Sequence, residues 1–258
     1  MIDVKVDQLT YQAHGLTHPG TVRAENEDVI DWWFEPKFSL TFALVADGMG
    51  GHDGGAEASS VAAQVLRQKM QQLVKDFAQN IDQLEGLMIS ALEASNDAVY
   101  KARQSKQAES KMGTTIVFAA LWNHHLIVLH AGDSRCYVIS GKHPEPLQLT
   151  RDDSVVQAML DEGVITKEDV PHVPYRNRLT NALGMQQDLS YSVSSYRLDE
   201  GDVVLICSDG FYQAVALDVI VRYLRDQGCS EGVTESLLKL SLDNNTDDNT
   251  SLILIGLN

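Results

Sequence analysis

The chain is poor in the features that most quickly suggest a function. Among its 258 residues are only three cysteines, Cys136, Cys207 and Cys229, widely spaced and without a C-x-x-C pair. Such an odd set is neither a disulfide framework nor a zinc knuckle, and reads as reduced thiols in a cytoplasmic protein. No apolar run approaches the roughly 18 residues needed to cross a bilayer. The opening Met1-Ile2-Asp3-Val4-Lys5-Val6-Asp7 lacks the basic region and apolar core of a secretory signal. Basic residues are scarce: 20 Lys and Arg stand against 36 Asp and Glu, for a formal net charge of −16. That balance argues against non-specific partners such as nucleic acid or anionic membrane. Repeats and low-complexity linkers are also missing, so a single domain over 1–258 and a monomer are expected.

What is present is a set of aspartates at the ends of apolar runs. Phe42-Ala43-Leu44-Val45-Ala46 leads into Asp47-Gly48, and Leu129-His130-Ala131-Gly132 into Asp133. Val203-Val204-Leu205-Ile206-Cys207-Ser208 leads into Asp209-Gly210, and Asp248-Asn249 precedes Ser251-Leu252-Ile253-Leu254-Ile255. Such runs, bounded by Gly or Asn/Asp, read as buried strands. A carboxylate at the mouth of a buried strand is costly unless it is paired or metal-bound. Several brought together would repel, and a hard divalent cation such as Mg²⁺ or Mn²⁺ relieves that repulsion better than zinc.

Periodicity predicts early strands near Thr10–Gly15 and Val29–Phe34, and a close-approach turn at Gly48–Gly55. Helices follow over Ala56–Phe77 and Ile81–Ser105, each with an apolar stripe read as core. Strands are expected at Thr114–Leu121, Leu126–Ala131 and Arg135–Ile139, the first two joined by a hairpin turn at Asn123-His124. After a short helical or irregular stretch over Asp152–Leu183, strands resume near Tyr191–Arg197, Val203–Ser208 and Leu252–Leu257. Further helices fall at Ala216–Gln227 and Gly232–Leu242. This order predicts an α+β fold with antiparallel sheets covered by helices, not a parallel α/β fold.

Six segments occur in a telling order. They are Arg23-Ala24-Glu25-Asn26-Glu27-Asp28, Asp47-Gly48-Met49-Gly50-Gly51-His52, Met112-Gly113-Thr114-Thr115, Gly132-Asp133-Ser134-Arg135, Cys207-Ser208-Asp209-Gly210 and Asp248-Asn249-Thr250-Ser251. Together they resemble the type 2C (PPM) metal-dependent serine/threonine protein phosphatases, in particular the compact bacterial members. The resemblance runs from about residue 10 to the C-terminus. It implies a four-layer α-β-β-α sandwich with its metal site at one end and a flap over about 152–183. It also implies two Mn²⁺ or Mg²⁺ ions, with a weaker third. By the resemblance, Asp47 bridges two ions, the Gly48 carbonyl ligates one, and Asp209 and Asp248 hold the other. Glu27 and Asp28 serve the second ion directly or through water, Asp133 serves the third, and Arg23 clamps the substrate phosphate.

The residue types suit those roles. Two metals can share a water, lower its pKa and aim it at phosphorus. Arginine gives planar, bidentate contacts to phosphate oxygens. The substrates implied are phosphoserine and phosphothreonine proteins, with a cognate Ser/Thr kinase as antagonist. A silent phosphoprotein-binding module and a two-metal hydrolase of small phosphoesters are the alternatives. Plainer roles are also open: Arg23 could pair with Glu25 or Glu27, Asp133 could cap a turn through Ser134, and Cys207 could be a small buried hydrophobe. Two positions depart from the family pattern. Met49 stands where many eukaryotic members have a histidine proposed as proton donor, leaving His52 or a metal-bound water as candidates. Asp153 stands where histidine is usual. In the flap, Lys167, Arg176 and Arg178 form a basic patch, and Arg176 and Arg178 are expected to dock phosphopeptides.

Overall fold

The computed structural model describes residues 11–50, 54–106, 111–143, 145–174 and 177–257. Its strands and helices follow in the order β1 (Tyr11–His18), β2 (Asp28–Glu35), β3 (Leu40–Met49), α1 (Gly54–Leu73), α2 (Ile81–Gln104), β4 (Gly113–Thr114) and β5 (Ile116–Trp122). There follow β6 (His125–Ala131), β7 (Arg135–Ile139), β8 (Leu147–Gln148), α3 (Val155–Asp161), β9 (Ser192–Arg197) and β10 (Val203–Cys207). The chain finishes with α4 (Asp209–Ala214), α5 (Leu217–Gln227), α6 (Glu231–Asp243) and β11 (Thr250–Leu257). One sheet has the order β1-β11-β10-β7-β8. The other runs β2-β3-β5-β6-β9, with β4 attached to β3. The named pairings are antiparallel.

The central strands read as unbroken apolar runs because both of their faces are covered. Along β3, Leu40, Phe42, Leu44 and Ala46 pack beneath α1 and α2, while Ala43 and Val45 face the other sheet. Along β10, Val204 and Ile206 point between the sheets, and Val203, Leu205 and Cys207 pack with α4, α5 and α6. Three apolar layers therefore separate four layers of secondary structure, the expected α-β-β-α sandwich. Under α1 and α2 the aromatic rings add specific contacts. Trp33 stacks on Phe42 with centroids 5.0 Å apart, and Phe42 on Phe118 at 5.9 Å; such pairs contribute about 0.5–1.5 kcal/mol beyond burial.

The expected strands and helices are present with shifted boundaries, whereas the turn expected over Gly48–Gly55 includes residues 51–53, which lie outside the described residues. The β5–β6 hairpin turns on Asn123 and His124, both at positive φ (47° and 67°), as a type I′ turn requires. One element differs in kind. The segment after Ser208 is not a simple turn, because Asp209 begins the six-residue helix α4. Among the described residues, no helix is long and apolar enough to cross a membrane.

Antiparallel pairing explains how distant aspartates meet. The start of β2 lies beside the end of β3, with Asp28 opposite Asp47. The end of β10 lies beside the start of β11, with Cys207 opposite Leu252. The end of β6 adjoins the start of β5, next to where β3 finishes. Each acidic residue therefore emerges at the same end of the sandwich.

Candidate metal centre and active site

A cleft of about 920 Å³ opens at that end, with Arg23, Glu27, Asp47, Gly48, Asp133, Arg178, Asp209 and Asp248 among its lining residues. Asp28 lies behind it, buried against Asp47. Its Oδ2 accepts hydrogen bonds from the Ser208 and Ser251 hydroxyls at 2.8 and 2.6 Å, which ties the two sheets together directly below the cleft. Its Oδ1 is buried with no hydrogen-bond partner among the described residues.

Two glycines allow the backbones to close around the acids. A Cβ on Gly48 would lie 2.2 Å from the Gly55 carbonyl oxygen and 2.7 Å from that of Glu27, so only glycine lets the start of α1 pack there. A Cβ on Gly210 would lie 2.0 Å from the Asn249 carbonyl oxygen. The glycine of each Asp-Gly step is thus required where another backbone passes, and at Gly210 this close passage brings Asp209 beside Asp248.

Hydroxyls and one amide hold the site in register. The Thr115 Oγ1 accepts from the Asp47 N–H at 3.0 Å and shares a 2.8 Å hydrogen bond with the Ser134 hydroxyl. The Thr115 N–H and the Thr114 hydroxyl both donate to the Asp47 carbonyl. Buried Asn249 accepts from the Glu27 N–H at 2.8 Å and donates to the carbonyls of Glu25 and Pro19 at 2.9 and 3.1 Å. That single side chain fixes the loop carrying Arg23 against the start of β11.

The carboxyls destabilise one another when ionised. Burial, followed by the charges of Asp28, Asp209, Asp133 and Asp248, holds Asp47 well above the ordinary carboxylate range. Burial pushes Asp28 up to about 7 despite its two hydroxyl donors. Asp209 is raised to about 6 by burial and by Asp248, with a hydrogen bond to Asp47 acting the other way. Burial and Asp209 likewise raise Asp133.

Arg23 supplies one local compensation. Its guanidinium donates to Asp248 Oδ2 at 2.8 Å and to the Asp247 carbonyl at 3.4 Å. It therefore pairs with an acid of the site, not with Glu25 or Glu27. Asp247 itself is exposed.

This acid set fits divalent cations. The orphan Asp28 Oδ1 and four carboxyls with raised pKa all call for positive charge at the cleft floor. Among the described residues, no three His, Cys, Asp or Glu side chains form a ligand set for one ion. The acids that line the cleft offer oxygen donors alone, which suit small hard cations better than zinc with its nitrogen and sulfur ligands.

The remaining expectations separate. Asp133 lines the cleft, and the Tyr212 hydroxyl donates to its backbone carbonyl. Arg135 makes a bidentate pair with Asp152 at 2.9 and 2.7 Å, and its guanidinium lies 3.8 Å from the Tyr212 ring centre. Asp153, at the departed histidine position, accepts from the Gly132 N–H and from the Asn181 amide, joining the Asp133 turn to the flap. Met49 borders the cleft. His52 and Arg176 lie outside the described residues. The basic flap patch is divided: Arg178 lines the cleft, whereas Lys167 lines a separate groove with Arg151 and Asp161. Cys207 is buried, its thiol pushed up to about 12 by burial, which suits a packing role and not a nucleophile.

Sequence reasoning missed Asn96, Arg103, Lys111 and the pinning role of Asn249. Asn96 carried a readable signal, since it is a polar residue on the apolar stripe of α2 between Leu92 and Val99. Arg103 and Lys111 carried none, because only the fold brings them to the cleft.

Comparison with known proteins agrees with this fold. A model of the protein phosphatase 2C family matches residues 21–239. The protein phosphatase PhpP of Streptococcus pneumoniae is 28% identical over 243 residues, covering 94% of this chain and 96% of that one. The serine/threonine phosphatase Stp1 of Staphylococcus aureus superposes with a TM-score of 0.87 at 29% identity, covering 96% of each chain. The catalytic domain of the serine threonine protein phosphatase PstP, crystallised with two manganese ions, gives a TM-score of 0.79 at 27% identity, covering 96% of this chain and 99% of that one. With the family model spanning most of its length and its acids gathered at one sandwich end, the chain belongs to the protein phosphatase 2C family.

Proposed function

We propose that the protein hydrolyses phosphoserine and phosphothreonine in proteins with the help of two Mn²⁺ or Mg²⁺ ions. The observation that carries this reading is the meeting of Asp28, Asp47, Asp209 and Asp248 at one cleft, with Arg23 beside them. Asp47, the Gly48 carbonyl, Asp209 and Asp248 would hold the ions. Asp28 and Glu27 would assist directly or through water, and Asp133 would serve a weaker third site. Such a pair of ions supplies positive charge for the crowded acids and the phosphate, and acidifies water for attack on phosphorus.

The chain's own residues supply the positioning. Arg23, anchored on Asp248, presents the remainder of its guanidinium to phosphate oxygens and remains charged at any working pH. Thr115, Ser134 and Asn249 fix the backbone so that the acids need no rearrangement on binding. In this reading phosphoryl transfer passes directly to water, and the substrate's serine or threonine hydroxyl leaves. The reading extends to a single-domain monomer in the cytoplasm that opposes a Ser/Thr kinase. The relatives named as serine/threonine phosphatases support the phosphatase activity.

The test is hydrolysis of p-nitrophenyl phosphate and of phosphoserine, phosphothreonine and nucleotide substrates with Mn²⁺. Asp47→Asn should lose roughly a hundredfold or more in turnover, about 2.7 kcal/mol of transition-state stabilisation. Wild-type turnover by that variant would overturn the site assignment. Nucleotides hydrolysed in preference to phosphopeptides would overturn the substrate class.

A further inference from the structure

Among the described residues, four cations line the cleft of this acidic protein, Arg23, Arg103, Lys111 and Arg178, and they differ in what already holds them. Arg23 is engaged with Asp248, and Arg103 donates to the Gly184 and Met185 carbonyls. The side chains of Lys111 and Arg178 are exposed and make no hydrogen bond or ion pair with any described residue. The cleft residues contributed beside them by the flap and the following loop, Asn177, Leu179, Met185 and Gln186, are neutral. The lining carboxylates, Glu27, Asp47, Asp133, Asp209 and Asp248, come instead from the sandwich end.

We propose that Lys111 and Arg178 form an anion subsite beside the phosphate position, selecting phosphopeptides with a second negative group close to the phosphorylated residue. This rests on the phosphatase reading above. A cleft of about 920 Å³ is about 10 Å across if its dimensions are similar. Two or three extended residues span that distance. A side chain within about three positions of the phosphoresidue therefore reaches the rim while the phosphate sits over the acids. The overall charge of −16 repels acidic peptides at long range. At physiological ionic strength that field is screened beyond about 8 Å, so the uncommitted cations at the rim decide the sign of the local interaction. The second group is a carboxylate or another phosphate. Arg178 can meet either with a two-pronged contact, and Lys111 acts as a point charge.

The experiment compares labelled phosphopeptides that differ only at the flanking positions, carrying Glu, phosphoserine, Gln or Lys, at 150 mM salt with Mn²⁺. Turnover and fluorescence anisotropy are both recorded. The expected result is tighter binding and lower KM for the Glu peptide than for the Lys peptide, by about three- to tenfold. Greater tightening by phosphoserine than by Glu would name a second phosphate as the preferred group; the reverse would name a carboxylate. The paired substitution Lys111→Glu and Arg178→Glu should invert the preference. Because the readout is a ratio between peptides within one variant, a general loss of turnover does not imitate it. Equal binding of all four peptides by the wild-type protein, or a preference that survives the paired substitution, overturns the subsite. Failure of the phosphatase reading would appear separately, as binding without hydrolysis of any substrate.

Discussion

Asp28 and Asp47 face one another in register at the paired ends of β2 and β3, and only Asp28 has hydroxyl donors from the opposite sheet. Two acids placed so closely work against the fold when no cation is bound. Asp28→Asn keeps a carbonyl oxygen for the Ser208 and Ser251 hydroxyls and removes the buried charge. Its melting temperature in EDTA should rise by about 2–4 °C, the shift about 1 kcal/mol produces in a chain of this size. The stabilisation given by Mn²⁺ should shrink. A lower melting temperature in EDTA with an undiminished Mn²⁺ effect would refute this account.

The same acids set a pH dependence whose sign follows from proton binding. Asp28 and Asp209 have folded pKa values of about 7 and about 6, and Asp47 and Asp133 are also raised. Between the ordinary carboxylate pKa of about 4 and about 7, the folded state holds more protons than the unfolded chain. The contribution of these groups to metal-free stability is therefore full below about pH 4 and is lost as pH rises through about 7. Cations bind the ionised acids, so added Mn²⁺ should raise the melting temperature more at pH 8 than at pH 5.5. Paired melts in EDTA and Mn²⁺ at the two pH values provide the check; equal shifts would contradict it.

The layers were readable in the sequence because β3 and β10 are buried on both faces and their alternation is filled with apolar residues on each side. The end-of-strand acids were readable for the same reason: a charge following Ala46 or Ser208 interrupts a core run. What the spacing could not carry was the cause of each Asp-Gly step. Gly48 and Gly210 are set by the carbonyls of Gly55 and Asn249, seven and 39 positions along the chain, which only the folded backbone brings into contact. The start of α4 at Asp209 was hidden because its six residues are too few to establish a period. Arg23 was expected to clamp phosphate, with Glu25 or Glu27 as its plainer partner, and in the structure it pairs with Asp248, 225 positions away. Proximity in sequence lost to the stronger field of the clustered acids.

Asn249 offers a direct test of how the Arg23 loop is held. Asn249→Ala leaves the Glu27 N–H without its acceptor, while water can reach the more open carbonyls of Pro19 and Glu25. One stranded donor and two weakened contacts should cost about 2 kcal/mol, or roughly 4–8 °C in melting temperature. With the loop loosened, KM for p-nitrophenyl phosphate should rise. Asn249→Asp keeps an acceptor for Glu27 but turns its second oxygen toward the Pro19 and Glu25 carbonyls and adds charge beside the acids, so in EDTA it should melt no higher than the alanine variant. An aspartate variant that melts near the wild type would show that the Glu27 contact alone holds the loop.

Asn96 poses the corresponding question for the other wall of the cleft. Its Oδ1 accepts from the Gly184 N–H at 2.8 Å, and its amide donates to the Gln186 and Gln187 carbonyls at 3.1 and 2.9 Å. Two helical turns further along α2, Arg103 holds the Gly184 and Met185 carbonyls. Together they clamp the loop that presents Met185 and Gln186 to the cleft, immediately after Leu183 pairs with Thr114 beside Gly48. Asn96→Ala should destabilise by about 1–3 kcal/mol through stranded backbone groups. It should also raise KM for a phosphopeptide severalfold while changing KM for p-nitrophenyl phosphate little, since the small substrate does not reach that wall. Arg103→Lys keeps the charge but not the two-carbonyl contact, and should reproduce the peptide effect with a smaller loss of stability. If both variants melt lower yet bind the peptide as the wild type does, the clamp serves folding alone and substrate selection lies elsewhere in the cleft.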